Sequence, residues 1–471
     1  VYLYAPAPMK LRDYNELKKM LVRALGAESV VDDPDLLESY SRDETSDLSA
    51  RPDIVVRASG TRDVSETMRI CDGLGVPVVP RGAGTGVTGG AVAVSGGVLL
   101  SMERMNRIIE IDERNMVALV EPGVITGDLQ REARARGLMY PPDPGSLDTC
   151  TVGGNVAEGA GGPRAVKYGT TKDYVLGMEF VLPGGAIVST GGKFVKNATG
   201  YNLSGILIGS EGTLAVITKI YLRLIPAPPC VLDLLIPYDS VEAATDDAFK
   251  IISSKIIPSA LELMEEDAIR LVAKHLGGTA PFPQARAHLL VQIDGVSEEA
   301  LHSDAERILT CTGHSQNEIL ASDNPHASER IWKARRAMRE AIAAESPVFL
   351  AEDTVVPRSQ IPHFIREVKE LLKTQGLRSV IFGHAGDGNV HLDVLKGELP
   401  YEEWKAMLPR LRKAIYGIAI SHGGTITGEH GIGHLRREYL PMVLSSDEID
   451  LLKRIKSAFD PRHILNPGKI L

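Results

Sequence analysis

The sequence predicts an α+β protein of more than one domain, and three observations carry that reading. At 471 residues the chain exceeds what one compact core sustains, while 44% apolar and 24% charged residues leave ample material for packed interiors. Its 46 glycines gather most densely between residues 75 and 215, where strands, low-bulk loops and helices alternate. After Pro226-Ala227-Pro228-Pro229, which can neither continue a strand nor start a helix cleanly, the texture changes to helices and short strands with far fewer glycines. The chain divides accordingly into an N-terminal helical segment (1–49), a glycine-rich domain (50–226), a second domain (230–425) and a C-terminal segment (426–471).

Whole-chain chemistry narrows the function class. A net charge of −9 argues against a nucleic-acid partner, which calls for a basic face. No apolar run approaches the length of a membrane span, and the N-terminus lacks signal-peptide regions, so a soluble, cytoplasmic protein is expected. Cys71, Cys150, Cys230 and Cys311 lie about eighty residues apart without a C-x-x-C pair, which indicates neither a disulfide framework nor an iron–sulfur cluster. Val1 to Pro8, ahead of Met9, read as a processing scar or expression remnant.

Taken in order, Asp13 to Gly26 reads as an amphipathic helix with Leu17, Met20, Leu21 and Leu25 on one stripe. A second helix runs from about Asp63, with Thr61 as cap, to Gly75 and feeds a strand, Val76 to Pro80. The stretch Pro80-Arg81-Gly82-Ala83-Gly84-Thr85-Gly86-Val87-Thr88-Gly89-Gly90 follows. Its glycines permit positive φ and expose backbone N–H groups, so successive amides can converge on an anion. Gly84, Gly86 and Gly89 satisfy G-x-G-x-x-G, yet residues 91–100 alternate and break on glycines instead of showing a helical period. The expected diphosphate cradle is therefore a loop between strands, not a helix N-terminus. Val117 to Glu121 reads as a strand and Thr126 as the cap of a helix to Gly137. Two more low-bulk regions, around Pro141–Ser146 and Thr151–Pro163, suggest backbone lying against a large flat ligand. Ala198–Gly205 leads through Gly209-Ser210-Glu211-Gly212-Thr213 into a strand ending at Leu224.

The segments Pro80–Gly86, Pro142-Asp143-Pro144, Gly153-Gly154-Asn155 and Gly209–Thr213 resemble the FAD-binding domain of the vanillyl-alcohol oxidase superfamily. The similar branch contains the D-lactate, glycolate and D-2-hydroxyglutarate dehydrogenases. The resemblance covers Pro80 to Ile225 and implies a PCMH-type, two-subdomain FAD-binding domain. By resemblance, Pro80, Arg81, Gly82, Ala83, Gly84, Thr85, Gly86 and Gly89 wrap the FAD diphosphate. Pro144, Ser146, Gly153, Gly154, Asn155, Ala157, Gly161 and Gly162 line the isoalloxazine and ribityl chain, and Glu211, Gly212 and Ile217 approach the adenine side. Some relatives attach FAD through a histidine in the first loop; here Thr85 stands there and no histidine precedes His275, so non-covalent FAD is expected.

In the second half, helices are expected at Asp239–Lys255, Glu265–Leu276, Ser297–Thr312, Pro325–Ala344 and Arg358–Gly376, with strands at Leu289–Asp294, Val348–Thr354 and Val380–Phe382. An antiparallel sheet covered on one side by helices, forming a substrate (cap) domain, accounts for this order. Two glycine-rich loops there carry chemistry, Gly383–His391 and Gly428–His434. Four of the twelve histidines, His384, His391, His430 and His434, fall in them beside Glu429. Two histidines and a carboxylate suit a divalent transition metal that keeps positions open for substrate. His384, His391 and Glu429 are assigned as ligands and His430 as base. The resemblance agrees, with zinc favoured and iron or manganese as alternatives.

Within Ile331-Trp332-Lys333-Ala334-Arg335-Arg336 the residues alone suggest a solvated basic turn. The resemblance instead implies that Arg335 clamps the substrate carboxylate, for which a guanidinium fork is suited. It also brings Asn389 to the substrate and returns the C-terminal tail to the FAD domain, with Asn466 near the flavin and His463 structural. Relatives specialised for 2-hydroxyglutarate carry lysine where this chain has Ala351, which favours a small monocarboxylate. Glu352 and Asp353 carry no role derivable from sequence.

The implied reaction is oxidation of a D-2-hydroxy acid, lactate or glycolate favoured, with hydride passing to flavin N5 and the hydroxyl activated by a divalent metal and His430. Without a cluster, electrons leave to an electron-transferring flavoprotein or an iron–sulfur partner subunit, and a homodimer is left open. Two rivals stand beside it. A metal-dependent hydrolase using the glycine loops for a nucleotide would explain the His and Glu loops but not three low-bulk regions, and a non-catalytic flavin-binding scaffold would share the cofactor.

Overall fold

The structure, a computed structural model, describes residues 11–471. It divides into two compact units. The first comprises residues up to 160, 170–227 and 429–471; the second comprises 161–169 and 228–428.

The first unit holds two sheets. In one, strands lie in the order Val30–Val31, Ile54–Arg57, Val98–Ser101, Val78–Arg81, with the last three parallel. The other is a five-stranded antiparallel sheet in the order Ile108–Asp112, Val117–Val120, Val216–Arg223, Val175–Val181, Ile187–Gly191. The helix Leu11–Leu25 buries Leu17 and Leu21 completely, against Val64 and Met68 of the helix Thr61–Leu74 and against Ile54, Val56, Val98 and Leu100. Met20, expected on that stripe, is exposed, and Leu25 packs only at its edge. The caps expected at Thr61 and Thr126 are instead first-turn residues. Gly60 and Ile125 hold the cap positions, and neither offers a side-chain acceptor.

Strand Val78–Arg81 is an edge, which explains why Pro80 is tolerated in it. The C-terminal tail covers that edge: Val78 N–H donates to Ile464 O at 2.8 Å and Asn466 N–H to Val78 O at 2.7 Å. Ile464 and Leu465 join the same apolar core as Leu17 and Met68.

The second unit is a seven-stranded sheet, antiparallel throughout, in the order Leu320–Ser322, Cys230–Tyr238, Ala287–Gly295, Ala260–Glu265, Arg378–His384, Asn389–Leu395, Phe349–Val355. The expected Pro325–Ala344 helix is two, Pro325–Arg336 and Met338–Glu345, separated where ψ opens to −2° at Ala337. The expected Arg358–Gly376 helix starts later, at Ile361, after a single tighter turn. Strands Cys230–Tyr238, Ala260–Glu265 and Asn389–Leu395 and the helix Tyr401–Ser421 are additional to those read from the sequence.

One correction bears on chemistry. Gly383–His391 is a tight β-hairpin, not a loop: His384 ends one strand, and Asn389 and His391 lie in its partner. Gly383 is required because a Cβ there would collide with Asn389 O, and Gly388 because the turn demands φ of +95°.

Candidate functional site

In the first unit the loop after Arg81 joins two parallel neighbouring strands without a helix, as its sequence predicted. None of the backbone N–H groups from Gly82 to Thr88 donates a hydrogen bond to another described residue, although Gly89 N–H is satisfied by Thr45 Oγ1 at 2.6 Å. Seven successive donors without acceptors suit an anion. The Arg81 guanidinium lies under the same loop, close enough to Gly84 (φ +74°) that a Cβ there would strike it. Burial draws that guanidinium below its ordinary range, a penalty a bound anion would offset. A cavity of about 460 Å³ opens alongside, lined among others by Tyr40, Arg81, Gly82, Ala83, Gly123 and Thr151. Loop, cation and cavity fit a dinucleotide diphosphate.

The low-bulk stretch 151–158 proves to be a helix, Val152–Glu158, whose Thr151 Oγ1 accepts Gly154 N–H at 3.2 Å. Gly153 is there because a Cβ would run into Pro122. Asn155 is buried and donates to Thr126 Oγ1 at 2.7 Å. Glu211, with φ of +50°, is also engaged within the protein, accepting Ile432 N–H and Gly433 N–H, each at 2.7 Å. Burial pushes its carboxyl up to about 7, and burial together with Glu211 and Asp43 pushes neighbouring Glu158 well above the ordinary glutamate range. Asn466 donates to Gly90 O at 3.0 Å and Glu211 O at 2.8 Å, tying the tail to the glycine loop. His434 departs from the other clustered histidines: its N–H donates to Thr88 O and its Nδ1 bonds Gly468 O at 3.1 Å. Pro144 and Ser146 lie in an irregular stretch, and Gly161 and Gly162 fall in the second unit.

In the second unit, sheet register assembles a strip of polar groups. Glu262 pairs with His384, which pairs with Asn389; one step along, Phe382 pairs with His391, which pairs with Asp353. Residues two apart on a strand share a face, so Glu262, His384, Asn389, His391 and Asp353 lie on one side of the sheet. All five are buried. His384 Nδ1 donates to Glu262 Oε1 at 2.6 Å, and its Nε2 lies 3.4 Å from His391 Nε2. Two nitrogens bound at about 2.05 Å with a tetrahedral angle between them stand about 3.3 Å apart, so this separation fits a shared cation. The hydrogen bond to Glu262 fixes the tautomer that leaves Nε2 unprotonated.

Arg335 approaches the same carboxylate. Its Nε donates to Glu262 Oε2 at 2.8 Å and its guanidinium carbon sits 4.7 Å from the Phe382 ring centre. The Trp-x-x-Arg context has a physical reason: Trp332 Nε1 donates to the buried Asp233 at 3.0 Å and Ser328 Oγ bonds the same carboxylate, fixing the helix one turn before Arg335. Burial would raise Glu262, but its interactions with His384 and Arg335 outweigh it and hold the carboxyl below its ordinary range.

Asp353 is the second carboxylate of the strip. Its Oδ1 accepts Asn389 Nδ2 at 2.7 Å, and its Oδ2 accepts Thr427 Oγ1 and Gly428 N–H, both at 2.9 Å. Asn389 donates also to Thr354 O at 3.1 Å, so both amide hydrogens are engaged within the protein. Glu429 and His430 are the next two residues after Gly428, and Gly431 to Gly433 follow on the Glu211 anchor. Sequence reasoning missed Glu262 and Asp353; the available signal was an acidic residue inside an otherwise apolar strand, as in Ala260-Leu261-Glu262-Leu263-Met264.

Among the described residues no helix is long and apolar enough to cross a membrane. Residues 52–191 match the family described as FAD binding domain, and residues 231–470 match that described as FAD linked oxidases, C-terminal domain. The chain is 38% identical to the glycolate oxidase subunit GlcD of Bacillus subtilis, over 97% of this chain and 96% of that protein. It is 38% identical to the D-lactate dehydrogenase of Anaerostipes hadrus, over 97% and 98%, and 31% identical to the D-2-hydroxyglutarate dehydrogenase of Xanthomonas citri, over 96% of each. Among solved structures, p-cresol methylhydroxylase superimposes with a TM-score of 0.82 at 18% identity, covering 99% of this chain and 98% of that one, which speaks to fold alone. The two family matches set the nucleotide-hydrolase alternative aside. With the glycine-loop cradle and the antiparallel second unit, they establish that the chain belongs to the FAD-linked oxidases and is a PCMH-type FAD-binding oxidoreductase of the D-2-hydroxy-acid dehydrogenase family.

Proposed function

We propose that this enzyme oxidises a small D-2-hydroxy monocarboxylate, D-lactate or glycolate, to its 2-keto acid, using non-covalent FAD and a divalent cation held by His384, His391 and Glu429, zinc favoured. The observation that carries the reading is the pair of imidazole Nε2 atoms 3.4 Å apart, one of them backed by a buried carboxylate. FAD supplies the hydride acceptor, and the cation supplies the Lewis acidity that brings an alcohol hydroxyl within reach of a neutral-pH base. Arg335, held at Nε, offers its terminal nitrogens to the substrate carboxylate. His430 takes the hydroxyl proton. Asp353 and Asn389 brace the chain that leads to Glu429 and His430.

Asp353 is also of metal-ligating type and pairs with His391 across its strand. Three hydrogen-bond donors already engage the Asp353 oxygens, which favours a bracing role for it and leaves ligation to the histidines and Glu429. Preference for a monocarboxylate is supported by Ala351, which shares the face of its strand with Asp353 and carries no cation. An electron-transferring flavoprotein or iron–sulfur subunit as acceptor is supported by the relatives named as oxidase subunits, and the four cysteines are free thiols. The free thiols favour a cytoplasmic setting.

Anaerobic mixing of the purified yellow protein with D-lactate, glycolate, L-lactate and D-2-hydroxyglutarate tests the proposal. Bleaching by the first two, about one metal ion per chain, and release of all colour on denaturation are expected. Bleaching by none of the four, or colour retained on the unfolded chain, contradicts it.

A further inference from the structure

The structure assigns to Glu262 a role that joins two parts of the site: we infer that this one carboxylate is the positioning residue for both the metal-binding imidazole of His384 and the substrate-binding guanidinium of Arg335. The inference rests on the reading given under Proposed function.

Glu262 lies mid-strand, fully buried, and each of its oxygens has its own donor: Oε1 takes His384 Nδ1 at 2.6 Å, Oε2 takes Arg335 Nε at 2.8 Å. A carboxylate is the side chain that can accept from both at once while carrying the charge that balances the guanidinium. On the metal side, holding the proton on Nδ1 keeps the Nε2 lone pair aimed at His391 Nε2. On the substrate side, Nε is pinned and the face rests on Phe382, so rotation about the last side-chain bonds is blocked. The two terminal nitrogens of Arg335 carry no other hydrogen bond among the described residues and are free for a substrate carboxylate. Cation and anion clamp are thereby held in fixed register through a single group.

Glu262→Gln breaks this arrangement without changing side-chain shape. An amide offers one oxygen and one NH2 to two converging donors, so one donor meets another. If that donor is His384, the ring must move its proton to Nε2, removing the lone pair that faces His391; if it is Arg335, the guanidinium swings free.

The test uses FAD-loaded protein stripped of metal by a chelator, with Zn2+ alone and then D-lactate as probes. Wild type is expected to bind one Zn2+. Glu262→Gln is expected to weaken Zn2+ about 10–100-fold in chelator competition and to raise the KM for D-lactate of the Zn2+-saturated enzyme by a similar factor, with FAD content unchanged. Arg335→Lys raises the KM without weakening Zn2+, and His384→Ala abolishes Zn2+ binding. Glu262→Asp, too short to reach both partners, should shift the same two readouts and serves if the glutamine variant does not fold. Zn2+ affinity within twofold of wild type in the Glu262 variant that folds, or a metal defect with an unchanged KM at saturating Zn2+, overturns the inference. Wild type that binds no Zn2+ overturns the metal reading on which it rests.

Discussion

Asp353 Oδ2 accepts the backbone N–H of Gly428 at 2.9 Å, so a strand residue fixes the peptide that immediately precedes Glu429. A Cβ at Gly428 would come within 2.6 Å of Asn389 Nδ2, which shows how closely that peptide is packed. Asp353→Asn turns one of its accepting oxygens into a donor facing Thr427 and Gly428 or Asn389. Misplacing the following dipeptide by about 1 Å should slow flavin reduction by substrate about 100-fold, with bound FAD unchanged. Anaerobic stopped-flow measures it, and reduction at the wild-type rate would remove Asp353 from this role.

Arg335→Lys keeps the charge and loses the fork. The lysine ammonium cannot reproduce both the bond to Glu262 and paired donation to a carboxylate. The expected loss is about 1.5–3 kcal/mol of substrate binding, that is, a KM raised about 10–100-fold with a smaller change in kcat. Steady-state kinetics with a dye acceptor read the split; a fall in kcat at constant KM would mean that Arg335 does not hold the ground-state carboxylate.

What could be read from sequence and what could not divide along a physical line. The bare backbone of the glycine loop was legible because glycine is the residue that exposes it; unpaired N–H groups from Gly82 to Thr88 are what that composition implies. His384, His391 and Glu429 stood out because metal-ligating types are scarce and were clustered. Glu262 was invisible because its importance is a matter of register: it meets His384 across 122 residues of chain, through a strand pairing that no local pattern announces. The hairpin around His384 read as a loop since its glycines look like breaks, whereas Gly383 serves the close approach of the partner strand. Thr151–Glu158 misled in the same way, its glycines packing a short helix on Pro122.

Ala351 offers a gain-of-function experiment. It lies two residues before Asp353 on the same face of its strand, opposite Asp393. Ala351→Lys would add a cation on that face, and activity on D-2-hydroxyglutarate relative to D-lactate is expected to rise about tenfold or more, in line with a charge-assisted hydrogen bond of about 1.5 kcal/mol. Parallel kcat/KM measurements on the two acids decide it; an unchanged ratio would place the distal carboxylate elsewhere.

The buried acids under the glycine loop give a pH dependence with a definite sign. Glu158 Oε2 is sealed from solvent without a hydrogen-bond partner, and burial plus Glu211 and Asp43 raise its pKa. Glu211 itself rises to about 7 from an ordinary 4.5. A carboxyl with a raised folded-state pKa holds its proton in the folded protein while the unfolded chain has already lost it. From about pH 4.5 upward the folded state therefore binds more protons, and the contribution of this pair to stability falls as pH rises. For Glu211 the fall is complete once pH passes its folded value near 7; for Glu158 it continues until the still-protonated folded form also ionises. Glu158→Gln removes one of the two charges at no cost in shape. The variant should melt higher than wild type at pH 8, by about 2–4 °C for each kcal/mol recovered, and close to wild type at pH 5, where both folded-state acids are neutral. Thermal melts of FAD-free protein across that range measure the variant-minus-wild-type difference; a difference that stays flat with pH would mean that Glu158 is not the group ionising on unfolding.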